Sequence, residues 1–142
     1  MEAKKVWKTY KNISLIRKMD EICFPDEIRP IIGRRDRHWW IVYVEDMPVA
    51  YAGARRHLNY LSLSRVGVLP EYRGNGIQKM LIASRLEFAC KVGASKVVTY
   101  TSRCNSHSIY NLISSGFTHW VPDKRLYFGE EFIYWHISDF CL

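Results

Sequence analysis

The stretch "VLPEYRGNGIQKMLI", residues 68 to 82, places Arg73, Gly74 and Gly76 between a short apolar strand and an apolar helical pattern. Glycines at these positions remove the side chains that keep a backbone away from a ligand. Arg73 adds positive charge. A helix beginning near Ile77 adds unpaired N–H donors and the positive end of its dipole. Each dipole contribution is only about 0.3–1 kcal/mol, so such a loop works by convergence of several donors on one anion.

Three phosphate-loop patterns compete. The pattern G-x-x-x-x-G-K-[ST] is absent. The dinucleotide pattern G-x-G-x-x-G begins at Gly74 and Gly76 but meets Lys79 where its third glycine belongs, so it fails. The third is the loop that holds the pyrophosphate of an acyl-CoA, with an arginine and two glycines leading into a helix, and the residues favour it. A plain strand–helix turn made tight by glycine is the competing reading.

The elements that must carry this loop follow from periodicity. Residues 6 to 10 alternate as an edge strand. Ser14 to Cys23 place Leu15, Ile16, Met19, Ile22 and Cys23 on one helical face, and Pro25 ends that helix. The stretch 25 to 37 is a short helix or irregular, broken by Pro30 and Gly33. Trp39 to Val44 and Val49 to Arg55 form a hairpin turning through Glu45 to Pro48. A third strand, Tyr60 to Val68, contains Gly67 as a possible bulge. Ile77, Met80, Leu81, Ser84, Phe88, Ala89 and Val92 follow helical spacing, with Gly93 as cap. A β-branched strand 96 to 101, a helix over 106 to 115 ended by Gly116, and strands 117 to 121 and 132 to 137 complete the order β-α-(α)-β-β-β-α-β-α-β-β. Strand–helix–strand from Leu61 to Thr101 predicts a crossover and one parallel pair.

The 142 residues, with no repeat or linker, predict a single domain spanning 1–142. Hydrophobic residues at 48% and charged residues at 25% are the balance of a soluble globular chain. No apolar run reaches the roughly 18 residues of a membrane span, and the basic N-terminus has no apolar region behind it, so neither membrane insertion nor a signal peptide is expected. Cys23, Cys90, Cys104 and Cys141 form no C-x-x-C pair, and no histidine stands at ligand spacing from them. Reduced, mostly buried cysteines in a cytoplasmic protein are therefore expected, and no metal. The net charge of +7 suits nucleic acid, phosphate-rich cofactors or acidic substrates alike.

A second motif follows the 96 to 101 strand. In "NSHSIYNLISSGF", Asn105 is followed by Ser108 three residues on, then by Gly116 and Phe117 eleven and twelve on. Together with the run from Val66 to Gln78, this resembles the GNAT superfamily of N-acetyltransferases. Each motif is weak alone. On consecutive strand–helix units they are specific, and the likeness covers residues 40 to 120 well and the ends loosely.

The resemblance implies an α/β fold: a mixed, mostly antiparallel sheet with a splayed parallel pair and helices on both faces. It implies acetyl-CoA as cosubstrate and an amine acceptor attacked directly. Val66, Gly67 and Val68 would pair with the pantetheine arm as an added strand. Arg73, Gly74, Asn75, Gly76, Ile77 and Gln78 would surround the pyrophosphate. Asn105 and Ser108 would lie near the pantetheine and thioester. The backbone N–H of Val68 would meet the oxyanion.

Three departures from the family pattern bear on catalysis. Gln78 replaces a small residue. Leu112 stands where many members carry a tyrosine acid, and Tyr110 lies about 200° around the helix from it. Tyr100 stands where some members carry a glutamate base. A thiolate leaves without strong acid help, because a thiol pKa is only about 8.5. The base is more demanding, since an alkylammonium has a pKa of about 10.4. Water ordered by Ser62, Ser64 or Tyr100 is the expected route, with Arg65 or Arg103 lowering the Tyr100 phenol. Catalytic candidates are thus Tyr100, Ser64 and Asn105.

The remaining features are ambiguous. "GRRDRHWW", 33 to 40, reads as a solvated loop entering a strand with buried tryptophans, as a nucleic-acid grip, or as the edge of an acceptor pocket whose Arg34, Arg35 and Arg37 favour an acidic acceptor. His57, His107, His119 and His136 show no ligand spacing. The aromatic stretch 127 to 137 suits a buried strand or a dimer contact, so monomer and homodimer both stand.

Overall fold

A computed structural model describes residues 1–141. Its elements are β1 (Glu2–Val6), α1 (Tyr10–Cys23), β2 (Arg37–Val44), β3 (Met47–Arg56), β4 (Tyr60–Val68), α2 (Ile77–Lys91), β5 (Lys96–Ser102), α3 (Ser106–Ser114), β6 (Thr118–His119) and β7 (Phe132–Ile137), with a 3₁₀ turn at Pro70–Tyr72. They form a seven-stranded sheet in the order β1-β2-β3-β4-β5-β7-β6. Every pairing is antiparallel except β4 with β5.

The N-terminal strand ends where the sequence reading begins it. Thr9 caps α1, its Oγ1 accepting from Asn12 N at 3.2 Å, and this cap starts the helix one turn before the apolar stripe does. Segment 24–36 is irregular. The hairpin turn is two residues, Glu45 and Asp46, both left-handed at φ 49° and 66°, the geometry that matches strand twist. Pro48 therefore lies inside β3, beside a register shift at Val42/Tyr43, where a missing N–H is tolerated. The expected strand over 117–121 shrinks to Thr118–His119. Phe117 N instead closes the end of α3 on Leu112 O at 3.0 Å.

Strand alternation divides the tryptophans. Trp39 joins Ile41 and Tyr51 beneath Ile16 and Met19 of α1. Trp40 joins Val42, Ala52 and Leu61 beneath Leu81, Ile82 and Leu112 of α2 and α3. Both indoles are buried, so neither offers a surface for stacking bases. β7 lies between β5 and β6 and buries Tyr134 and Trp135 within this chain.

The cysteine expectation is overturned. Cys90, near the end of α2, and Cys141 are joined as a disulfide with Cα atoms 5.5 Å apart. Their sequence separation of 51 carries no recognisable spacing; the chain beyond β7 folds back to bring them together. Cys23 is half-buried and Cys104 exposed, so the free thiols are not core residues.

Candidate active site

β4 and β5 pair only from Tyr60↔Lys96 to Ser62↔Val98. Beyond that row β4 continues to Val68 and β5 to Ser102, and the strands part. Thr99 Oγ1 donates to Leu63 O at 3.3 Å across the crotch of the fork. The gap opens into a cleft of 1820 Å³ whose lining includes Cys23 of α1 and Ile82 of α2, helices on opposite faces of the sheet.

A bulge bends β4. Ala52 faces Val66 and Ala54 faces Leu63, so Gly53 alone opposes Ser64 and Arg65, and the bulged strand turns from its neighbour. The bulge lies there and not at Gly67, which pairs in register with Tyr51. Gly67 is glycine for another reason: a Cβ there would come within 2.4 Å of the Tyr51 ring. That ring is pinned from α1, because its hydroxyl donates to the buried Asp20 carboxylate. Burial and this bond to Asp20 raise the Tyr51 pKa. Asp20 also pairs with Arg29 at 2.8 Å and with Arg65 of the bulge at 3.1 Å.

The bulge leaves carbonyls without strand partners, and Arg85 takes them. Its Nη1 donates to Gly53 O at 3.1 Å and Ser64 O at 3.3 Å, and its Nε to Leu81 O at 3.0 Å. Burial without a carboxylate lowers its pKa to about 9. The sequence reading passes over Arg85, although it stands four residues from both Leu81 and Ala89, on the apolar stripe of α2.

At the open end of the fork, Gly74 and Gly76 are left-handed, φ 82° and 76°, and a Cβ on either would meet nothing within 4 Å. Gly76 caps α2 with no side-chain bond, so the first N–H groups of the helix remain free to donate. A diphosphate fits this open cradle of backbone donors. Val66, Gly67, Val68, Gly76, Ile77 and Gln78 line the cleft. Asn75 does not; its Nδ2 turns back to Tyr72 O at 3.0 Å. Arg73 leans toward β4, its Nε donating to Val68 O at 2.9 Å.

On the other face of the sheet, Ser62 Oγ lies 3.0 Å from Nε2 of His57, whose ring stacks on Tyr60 at 4.1 Å. Burial, then Arg55 and Arg37 against Asp36, lowers the His57 pKa. Tyr100 is 46% exposed and packs against Phe128 and Phe132. Ser64 Oγ is closed to solvent and has no hydrogen-bond partner among the described residues.

Residues 5–117 match the model of the acetyltransferase (GNAT) family. The chain belongs to that family. Its fold is shared with the ribosomal-protein-S18-alanine N-acetyltransferase of Escherichia coli (TM-score 0.76, 13% identity, 95% of this chain and 92% of the other). It is shared with the PaiA N-acetyltransferase of Thermoplasma acidophilum in complex with coenzyme A (0.76, 13%, 97% and 99%). An aminoglycoside 6'-acetyltransferase type Ii is similar as well (0.79, 13%, 97% and 97%). No curated protein sequence matches the chain significantly. The protein is thus an acyltransferase of the GNAT type, and among the described residues no helix is long and apolar enough to cross a membrane.

Within this GNAT domain the departures acquire roles. Gln78 Nε2 donates to Ser108 Oγ, and Gln78 Oε1 accepts from Asn111 Nδ2, both at 3.0 Å. The side chain therefore docks α3 onto α2. Asn105 caps α3, its Oδ1 accepting from Ser108 N at 3.2 Å, which leaves the Nδ2 group to donate. Leu112 is buried, whereas Tyr110 is exposed. The arginines expected to act on Tyr100 are engaged elsewhere: Arg65 with Asp20 and Glu27, Arg103 with Glu130 O. His57 is the titratable partner the sequence reading missed. Histidine spacing in the sequence speaks only to metal ligation, and the approach of His57 to Ser62 depends on the turn between β3 and β4.

Proposed function

We propose that this GNAT domain moves an acetyl group from acetyl-CoA to an amine acceptor by direct attack. One observation carries the reading: the parallel pair parts beyond Ser62↔Val98 and leads to an open left-handed glycine cradle. When bound, acetyl-CoA supplies an acyl group activated as a thioester.

The chain's own residues divide the remaining work. Backbone groups of Val66 and the N–H of Val68, facing the gap on the β5 side, bind the pantetheine arm as an added strand, while Val68 O is held by Arg73. The Val68 N–H serves charge developing on the carbonyl oxygen. Gly74, Gly76 and the first N–H groups of Ile77 and Gln78 bind the diphosphate, with Arg73 adding charge. Asn105 donates through Nδ2 toward the arm, and Ser108 steadies it through Gln78.

The acceptor ammonium must lose a proton before attack. Neutral His57 takes it by way of Ser62 Oγ, which stands at the last paired row of the fork. Tyr100 flanks the same opening and orders water there. Ser64 contributes through its bulged backbone, since its hydroxyl faces inward. Buried Leu112 gives no proton to the thiolate, consistent with the low basicity of that leaving group.

Calorimetry with acetyl-CoA, CoA and NADH tests this. Heat from the first two and none from NADH is expected, together with thiol release in the presence of a suitable amine. Binding of NADH alone would overturn it. CoA binding with no turnover across peptide, amino-acid and aminoglycoside amines would favour a CoA-binding interaction domain, the reading that Leu112 keeps open.

A further inference from the structure

The cleft face that carries His57 and Ser62 also carries an arginine row. Register places Arg37 of β2 opposite Arg55 of β3, Arg55 opposite Ser62 of β4, and Ser62 opposite Val98 of β5. Directly paired residues project from the same face of a sheet. Strands lie about 4.8 Å apart, so the two arginine positions stand roughly 5 and 10 Å from the last paired row of the fork. All four residues line the cleft.

The charges in this row are out of balance. Asp36 is shared between Arg55 at 2.9 Å and Arg34 at 3.6 Å. Arg37 forms no ion pair among the described residues, and its Nε is shut from solvent with no hydrogen-bond partner among them. Like charges directly opposite in a sheet destabilise it, so an anion placed here relieves a cost already present in the fold. The row lies toward the start of β4, and the glycine cradle follows its end. The cofactor's phosphates therefore do not serve it.

Building on the proposed function, we propose that Arg37 and Arg55 bind a carboxylate or phosphate on the acceptor, and that the substrates are amines carrying such a group. Arginine suits this task because its planar fork pairs with either oxyanion through two parallel bonds. Arg34 and Arg35 do not line the cleft; they border a neighbouring depression that meets it at His57.

The test is calorimetric titration of the protein, with and without CoA, by matched amines: β-alanine against β-alaninamide, and phosphoethanolamine against ethanolamine. The anionic member of at least one pair should bind at least tenfold more tightly than its neutral partner. Arg37→Gln should erase that preference and Arg37→Lys should restore part of it, with CoA affinity unchanged in both. The two pairs separate carboxylate from phosphate. Equal binding within both pairs, no binding of either anionic member, or an equal loss for both members in Arg37→Gln overturns the proposal. Failure of CoA to bind would sink the proposed function instead, and the titrations without CoA would still decide this one.

Discussion

Ser62 Oγ and His57 Nε2 meet at 3.0 Å at the row where β4 and β5 cease to pair. The contact joins a serine in the middle of the sheet to an imidazole that lines the cleft. Replacing His57 by alanine is expected to lower kcat/KM by about 10²–10⁴-fold, the usual contribution of a positioned base, with CoA affinity retained. The base must be neutral to accept a proton. Burial and the flanking Arg55 and Arg37 lower the His57 pKa, so the neutral form persists below the ordinary histidine value of about 6.5. Activity should therefore fall on the acid side only below that value, and the limb should vanish in His57→Ala. A pH–rate profile of both proteins checks this.

Gly76→Leu separates binding from folding. The position is left-handed, φ 76°, with no protein atom within 4 Å of an added Cβ. Backbone strain of about 1–2 kcal/mol is the expected stability cost. The leucine side chain occupies the cradle, so CoA affinity should fall by at least about tenfold, equivalent to 1.4 kcal/mol. Calorimetry beside a circular dichroism melt reads both quantities.

Arg85→Met tests how the fork is held open. The change strips Gly53 O and Ser64 O of their shared donor. Buried carbonyls left unpaired cost about 1–3 kcal/mol, offset in part because a desolvated charge is also removed. Urea denaturation should show a lower midpoint. CoA affinity should fall as well, since the bulge that parts β4 from β5 loses its anchor.

Reduction of Cys90–Cys141 should lower Tm. The bridge spans a sequence separation of 51, and a native disulfide of this kind contributes about 2–4 kcal/mol, chiefly by restricting the unfolded chain. Cys90→Ser should reproduce the shift without reductant. A thiol titration of the denatured, unreduced protein should find Cys23 and Cys104 alone.

Much of the architecture was legible because it depends on local pattern. β4 and β7 lie at the predicted residues, and Gly93 and Gly116 end their helices left-handed as expected. The start of α1 was not legible, because a capping threonine set it ahead of any apolar period. The true bulge was missed because glycine in a strand has two meanings. At Gly67 it makes room for Tyr51, and the extra residue lies instead at Ser64–Arg65, chosen by pairing with β3.

The sequence by itself determined the order of elements, the glycine cradle at Gly74 and Gly76, and Asn105 at the start of α3. Each rests on residues close together in the chain, where spacing translates directly into geometry. Only the tertiary structure decided that Arg85 braces the bulge, that His57 reaches Ser62, that Arg37 and Arg55 align in a row ending at the fork, and that Cys90 meets Cys141. These contacts depend on strand register and on a tail folding back. Both are set by how whole faces bury against one another, a choice that no short window of sequence contains.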